Sequence, residues 1–514
     1  MINKFIRSSL IFSILTMVSR ILGLFRDMLL AYFFGVGIVT DILFIALKIP
    51  NLFRSLLAEG GVNLVFTPIF NKYVSSGRVK RATILSSQVL AYITVTTVLL
   101  TIVVEVFIPQ IASLLFTNIQ QHSDQHFKLL ILLIRITFPY LIFISIISIF
   151  QSILNSFKFF IIGSSMPIIF NVCTIMCILL NFIKINIIFV ACGILVSGIV
   201  QLLIILQVFI YKQVISIPIV NIFRITTLTK VFLKKLIPVL FNSGIYQINM
   251  FVSIIIAASM PNGALSYLFY ADRLFQLPLA IIGVGLSTVI LSYLSNSQIS
   301  LEECNDTKRN GILFIVILAL PATSGLVLLG ENIISLIFGY GKFNNTDINN
   351  TYYILSIYAL SLIFNIMIKF FQSIYYANQD TSTPFYINTL SLVLNVILVI
   401  SLSIKYSYIG IACAQPIVAI TSFILFIIHI KYKELITLNK RFYRDLLKII
   451  IANIVLLFII IEFHNILSLI TVVLLQKVLL LFGIIVIILI YFILLWFLRT
   501  NMMEHMFINI KKRF

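Results

Sequence analysis

Runs of about twenty apolar residues follow one another from end to end of this chain, and each is long enough to cross a bilayer as a helix. Lipid offers no hydrogen-bond partner to bare backbone, so only helices or closed barrels can span it. The runs are too long, and alternate too little, to be barrel strands. Composition agrees: 61% of the 514 residues are hydrophobic and 10% are charged, against about 25% charged in soluble domains. The chain is therefore read as an all-α polytopic membrane protein. The first run continues through charged residues without a small-residue cleavage site, so it is expected to be a span and not a cleaved signal peptide. The five cysteines, Cys173, Cys177, Cys192, Cys304 and Cys413, imply no disulfide framework. Cys173 and Cys177 have helical spacing but no companion ligands, and read as small packing residues.

Fourteen apolar segments are predicted, near 8–34, 37–58, 82–108, 129–154, 159–183, 187–211, 231–258, 264–295, 311–337, 351–376, 384–403, 408–431, 446–469 and 474–499. The formal charge of +20 would point to nucleic acid in a soluble protein; here it reads as orientation, and no nucleic-acid partner is expected. With both termini in the cytosol, 24 of the 36 Lys and Arg fall on the cytosolic side and five on the outer side. That asymmetry obeys the positive-inside rule. The seven others lie within or at the ends of spans: Arg20, Arg26, Lys48, Arg54, Arg135, Arg273 and Lys369.

The chain also repeats itself. FQSI stands at 150–153 and again at 371–374, each copy followed by a proline with asparagine four residues on: Pro167 with Asn171, Pro384 with Asn388. The pairs Ala191–Cys192 and Ala412–Cys413 keep the offset of 221, as do Tyr211–Lys212 and Tyr432–Lys433. LFIALK at 43–48 resembles LFYADR at 268–273, offset 225. Six spans per copy is an even number, so the halves enter the membrane with one orientation. Parallel repeats of this kind are a transporter architecture with the substrate site between the halves. The expected organisation is a lobe over 1–225, a second over 226–435, and two further helices over 436–514.

Charge at mid-membrane is costly, and such residues usually face a wet cavity or a partner. Arginine cannot escape by deprotonating. The residues that draw attention are Arg20, Arg26, Asp41, Lys48, Arg54, Glu59, Asp272 and Arg273. Two readings compete. One pins helices through the pairs Arg20–Asp27, Lys48–Asp41, Arg54–Glu59 and Arg273–Asp272. The other converges cations on a phosphate-bearing substrate, which guanidinium grips with a bidentate fork. Arg20 and Asp27 are seven residues apart and share a helix face, while Arg26 lies ~120° round from Arg20. A wide cavity, or a bend near Gly23, would let both arginines serve one site. Pro50 should kink the second span.

Weaker candidates have plainer readings. His122 and His126 mimic a metal pair but sit in an outer loop with no further ligands, and no metal or cofactor is expected. Lys369, Tyr376 and Asp380 suit either a coupling cation or a pinned helix end. Glu105 and Arg135 read as a structural pair between neighbouring spans. GVGLS at 283–287 has no phosphate-loop lysine and reads as close helix packing. Glu302 and Glu303 fall in a cytosolic loop.

Several stretches together carry a family resemblance: SRILGLFRD, TDILFIALKIPNLFRSLLAEGGVNLVFTPIF, YADRLFQLPLAIIGVGLSTVIL, ALPATSGLVLLGENIISLIFGYGKF and YYANQDTSTP. In this order they resemble the MurJ/MviN family of lipid II flippases, over nearly the whole chain. The resemblance implies the MOP-superfamily fold, with fourteen helices in two six-helix lobes and two C-terminal helices forming a groove for the lipid tail. It further implies a non-enzymatic flippase of the bacterial inner membrane, with lipid II, the undecaprenyl-pyrophosphate peptidoglycan precursor, as substrate. Membrane lipids and the cell-wall synthesis machinery are implied as partners, and a coupling ion or the membrane potential as energy source. The family's functional arginines match Arg20, Arg26, Arg54 and Arg273, which would line a cationic cavity; Asp41, Lys48, Glu59 and Asp272 match further charged positions. Gln276 departs from the pattern, since many relatives carry an acid there. A multidrug or cation antiporter of the same superfamily would need acids facing the cavity, and the first lobe is net basic. A membrane-embedded polyprenyl-phosphate enzyme would need clustered acids or a catalytic base, and none is evident.

Overall fold

Hydropathy and helix punctuation place the elements. The computed structural model describes residues 2–56, 62–180, 186–212, 226–294, 300–470 and 472–499, and every regular element among them is helical. Two units emerge, Met1–Ser266 and Tyr267–Phe514.

The first unit holds α1 (Ile2–Phe34), α2 (Ile38–Arg54), α3 (Asn63–Ser75), α4 (Val79–Leu115), α5 (Thr117–His122), α6 (Asp124–Thr137), α7 (Tyr140–Ser156), α8 (Phe160–Leu180), α9 (Ile188–Lys212) and α10 (Thr227–Ala258). The second unit takes α11 (Ala264–Pro278), which begins at the boundary, then a π-helical stretch (Leu279–Val284) and α12 (Gly285–Leu294). It continues with α13 (Leu301–Leu328), α14 (Gly330–Ile337), α15 (Asn345–Leu360), α16 (Leu362–Ala377), α17 (Ser382–Tyr432), α18 (Lys440–Ser468) and α19 (Val473–Phe497).

Among the described residues, each of the fourteen apolar segments lies mainly in helix. Nine described stretches are each long and apolar enough to cross a membrane, and the pair α15–α16, bent by 41°, makes a tenth. The 51-residue α17 conceals two of the segments. Ser407 breaks it at φ 54, ψ −140, and Ser391 and Ser422, on opposite sides of the break, bring their hydroxyls to 2.6 Å. The chain therefore doubles back as a helical hairpin. Gly410 makes the reversal tight, because a Cβ there would collide with the Leu402 carbonyl oxygen.

Within the first unit α1 runs along α8, and α8 along α9. Small residues allow the approach: Gly193 of α9 packs on Cys177 and Thr174 of α8, and Gly198 packs on Tyr140 and Phe143 of α7. Cys177 is thus a packing residue, as its spacing led one to expect. α10 packs on α2, α3 and α4, anchored where Gln88 of α4 accepts from the hydroxyls of Thr226 and Thr229. In the second unit α18 packs on α13 and α19 on α18. Lys308 and Arg309 of α13 donate to the carbonyls of Leu435 and Thr437 at 2.8 and 3.3 Å, fixing the linker that leads into α18.

The repeat has structural content. Gln151 of the first FQSI lies against Gly163 of α8. Its counterpart Gln372 donates to Asn388 of α17 at 3.0 Å. Each glutamine thus meets the helix that follows it.

Candidate anion-binding site

Two charged helices flank the turn at Gly35–Gly37. At 1.5 Å per residue, Arg26 lies about 12 Å and Arg20 about 21 Å along α1 from that turn; along α2, Lys48 lies about 15 Å and Arg54 about 24 Å from it. All four distances are shorter than the roughly 30 Å thickness of a hydrocarbon layer.

The best-defined cluster joins α1 to α8. Arg26 places Nε and NH2 at 3.0 and 2.7 Å from Oδ1 of the fully buried Asp27. Its NH1 donates to Asn171 Oδ1 at 3.2 Å, and its guanidinium stands 5.6 Å from the Phe170 ring centre. The Asn171 amide also donates to the Ser19 carbonyl at 2.9 Å. Gly23 faces Asn171 across this contact, where a Cβ would meet Asn171 Nδ2 at 3.5 Å, an ordinary van der Waals distance. Helical phase favoured Arg20 as the partner of Asp27; the structure assigns Asp27 to Arg26. The two former residues share a face but stand about 10.5 Å apart along the axis, too far for a salt bridge. Nor is α1 interrupted at Gly23. Arg20 is exposed and makes no hydrogen bond or ion pair among the described residues.

Asp41 also departs from expectation. Its buried carboxylate does not serve Lys48 but accepts from the Gly263 backbone N–H at 2.6 Å, the Ser266 backbone N–H at 2.8 Å and the Ser266 hydroxyl at 2.5 Å. The first turn of α11 has exposed backbone donors, and a carboxylate is the natural group to satisfy them. Lys48 and Arg54 are partly buried on α2, and Pro50 sits between them inside the helix. Glu59, the expected partner of Arg54, lies outside the described residues.

On α11, Arg273 lies about 14 Å from the helix start. Its guanidinium stacks 4.7 Å from the Phe269 ring centre. Asp272 accepts from Gln276 at 3.3 Å, so the residue that departs from the family pattern donates to the carboxylate one turn away. The π-helical stretch follows directly, where Pro278 lacks the N–H that would continue the α ladder. There Gly283 packs against Ile366 and the Lys369 stem, in keeping with a packing role for GVGLS.

The remaining candidates are structural. Glu105 and Arg135 form an ion pair at 3.6 Å between α4 and α6. Asp380 pins a helix end: it accepts from the Thr383 N–H and hydroxyl at 3.0 and 2.8 Å and pairs with Lys433 at 3.0 Å. The Thr383 N–H, then Lys433, hold its carboxyl down to about 2, below the ordinary carboxylate range. A depressed carboxyl stabilises the fold above the ordinary range and loses that contribution as pH falls through the depressed value. Asp380→Asn should therefore lower Tm at pH 6, and the difference from the parent protein should shrink steadily as pH falls toward 2. A pH-independent difference would refute the linkage. His126 occupies the first turn of α6, with its N–H donating to the N-cap Ser123; the His122 side chain lies outside the description.

Sequence reasoning passed over Asn171 and Phe170, which meet Arg26, and Gly263 and Ser266, which meet Asp41. Asn171 had left one signal, as the asparagine of the repeated proline–asparagine motif.

These apolar helices define a multi-pass membrane protein, and its fold is that of the MOP superfamily of transporters. An inward-facing multidrug-resistance MATE transporter of that superfamily superposes with TM-score 0.66 over 82% of this chain and 98% of its own, at 14% identity. A structure described as lipid II flippase MurJ in an inward closed conformation matches with TM-score 0.79 at 29% identity, over 94% of this chain and 98% of that one. The family model for lipid II flippase MurJ matches residues 30–504. The probable lipid II flippase MurJ of Rickettsia prowazekii is 34% identical over 80% of this chain and 81% of its own length. That of Vibrio cholerae is 30% identical over 81% of each. The chain belongs to the lipid II flippase MurJ family.

Proposed function

We propose that this protein carries lipid II from the cytosolic to the outer leaflet of the bacterial inner membrane, with both termini in the cytosol, acting as a transporter and not as a catalyst. Membership of the family supports this reading above all else. In it, Arg20, Arg26, Arg54 and Arg273 replace the water around the pyrophosphate, while the polyprenyl tail stays in lipid. Lys48 adds positive charge, and Glu59 and Asp272 orient neighbouring cations. Asp41 acts differently, fastening the start of α11 to α2. Outward movement of negative charge runs with an inside-negative potential, worth ~2.3 kcal/mol per charge per 100 mV. An empty cationic carrier would return downhill in the same field.

The test is leaflet exposure of labelled lipid II. Cells depleted of their own flippase and supplied with this chain should again present lipid II on the outer leaflet. Exposure no greater than in depleted cells, with the protein present in the membrane, would refute the assignment.

A further inference from the structure

Beside the candidate anion site, the first unit carries a second feature that the transport reading leaves unused. A groove of about 590 Å³ runs between α3 and α10, lined by Leu64, Pro68, Val231 and Pro238 together with Lys234 and Lys235. Its volume falls in the range of small-ligand sites, about 300–1,000 Å³. The walls are apolar, and Leu64, Pro68, Val231 and Pro238 are all exposed. Each proline removes a backbone donor from its helix.

The two lysines are exposed and make no hydrogen bond or ion pair among the described residues. They do not serve the helix that bears them. Lys230 stands in the first turn of α10, which holds no acid, and Lys234 and Lys235 follow about one turn further on. The orientation rule accounts for lysines near a cytosolic end. It does not account for two of them lining an apolar groove.

We propose that this groove binds one anionic phospholipid of the cytosolic leaflet, its phosphate held by the Lys234 and Lys235 ammonium groups and an acyl chain laid along the apolar wall. Lysine stems lie on apolar surface while their charged ends reach headgroup level, which matches a lipid with its phosphate at the interface. Lysine binds a headgroup phosphate as a point charge, and two of them line this groove. The inference rests on the membrane orientation and not on the identity of the transported substrate.

The full-length protein would be reconstituted in nanodiscs of phosphatidylcholine with a minor fraction of phosphatidylglycerol, and the lipids it retains counted by native mass spectrometry. The parent protein should retain phosphatidylglycerol over phosphatidylcholine by roughly tenfold, the preference expected of two lysines near an anionic headgroup. Lys234→Gln with Lys235→Gln should bring that preference close to unity. Leu64→Trp, which fills the groove, should reduce retention of both lipids. Lys230→Gln, one turn away and outside the lining, should leave the preference intact. Undiminished preference in the double lysine variant overturns the proposal. So does stoichiometric displacement of phosphatidylglycerol by added lipid II, which would give the groove to the substrate.

Discussion

Arg26→Gln should destabilise the protein by about 3–5 kcal/mol, because it withdraws the guanidinium that holds a buried carboxylate. Asp27 is fully buried, and Arg26 meets it through two nitrogens. Adding Asp27→Asn removes the buried charge that Arg26 balances, so the double variant should be more stable than Arg26→Gln alone. Thermal unfolding of the parent, both single variants and the double variant in detergent completes the cycle, and additive single effects would mean the pair is not coupled. The cycle matters for function too. Loss of transport in Arg26→Gln alone confounds a lost ligand with a strained helix pair. A stable double variant that still fails to expose lipid II would show that the Arg26–Asp27 pair serves transport beyond its part in stability.

Arg20 should behave in the opposite way. It is exposed and has no hydrogen-bond or ion-pair partner among the described residues, so Arg20→Gln should change stability by no more than about 0.5 kcal/mol. Outer-leaflet exposure of lipid II should nevertheless fall at least about tenfold, the effect of losing roughly 1.4 kcal/mol from one charge-assisted contact. Arg20→Lys should restore only part of the activity, since an ammonium cannot grip a phosphate bidentately. Wild-type transport by Arg20→Gln would remove this residue from the site.

The helices were legible because their cause is local: apolar length, charge bias and the placement of proline and glycine along the chain. The hairpin at Ser407 was legible for the same reason, the apolar pattern lapsing between 403 and 408. Glu105–Arg135 could be anticipated because opposite charges stood in adjacent spans. The two misassigned acids failed for different reasons. Angular phase alone put Arg20 with Asp27, but the rise along the axis separates them and the neighbouring Arg26 folds back instead. Asp41 is satisfied by backbone and hydroxyl donors more than 220 residues away, and backbone donors carry no mark in a sequence. Asn171 was visible only as part of a repeated motif, because its partners, Arg26 and the Ser19 carbonyl, lie about 150 residues away on another helix.

The Asp41–Ser266 contact bears on the history of the duplication. The two residues are 225 apart, the offset that relates LFIALK to LFYADR, so they occupy equivalent positions in the two copies. Identical copies would have set like against like there, either two repelling carboxylates or two hydroxyls without the anion that the helix start attracts. An acid facing a serine therefore requires the two equivalent positions to differ, which a single polypeptide permits and a pair of identical chains does not.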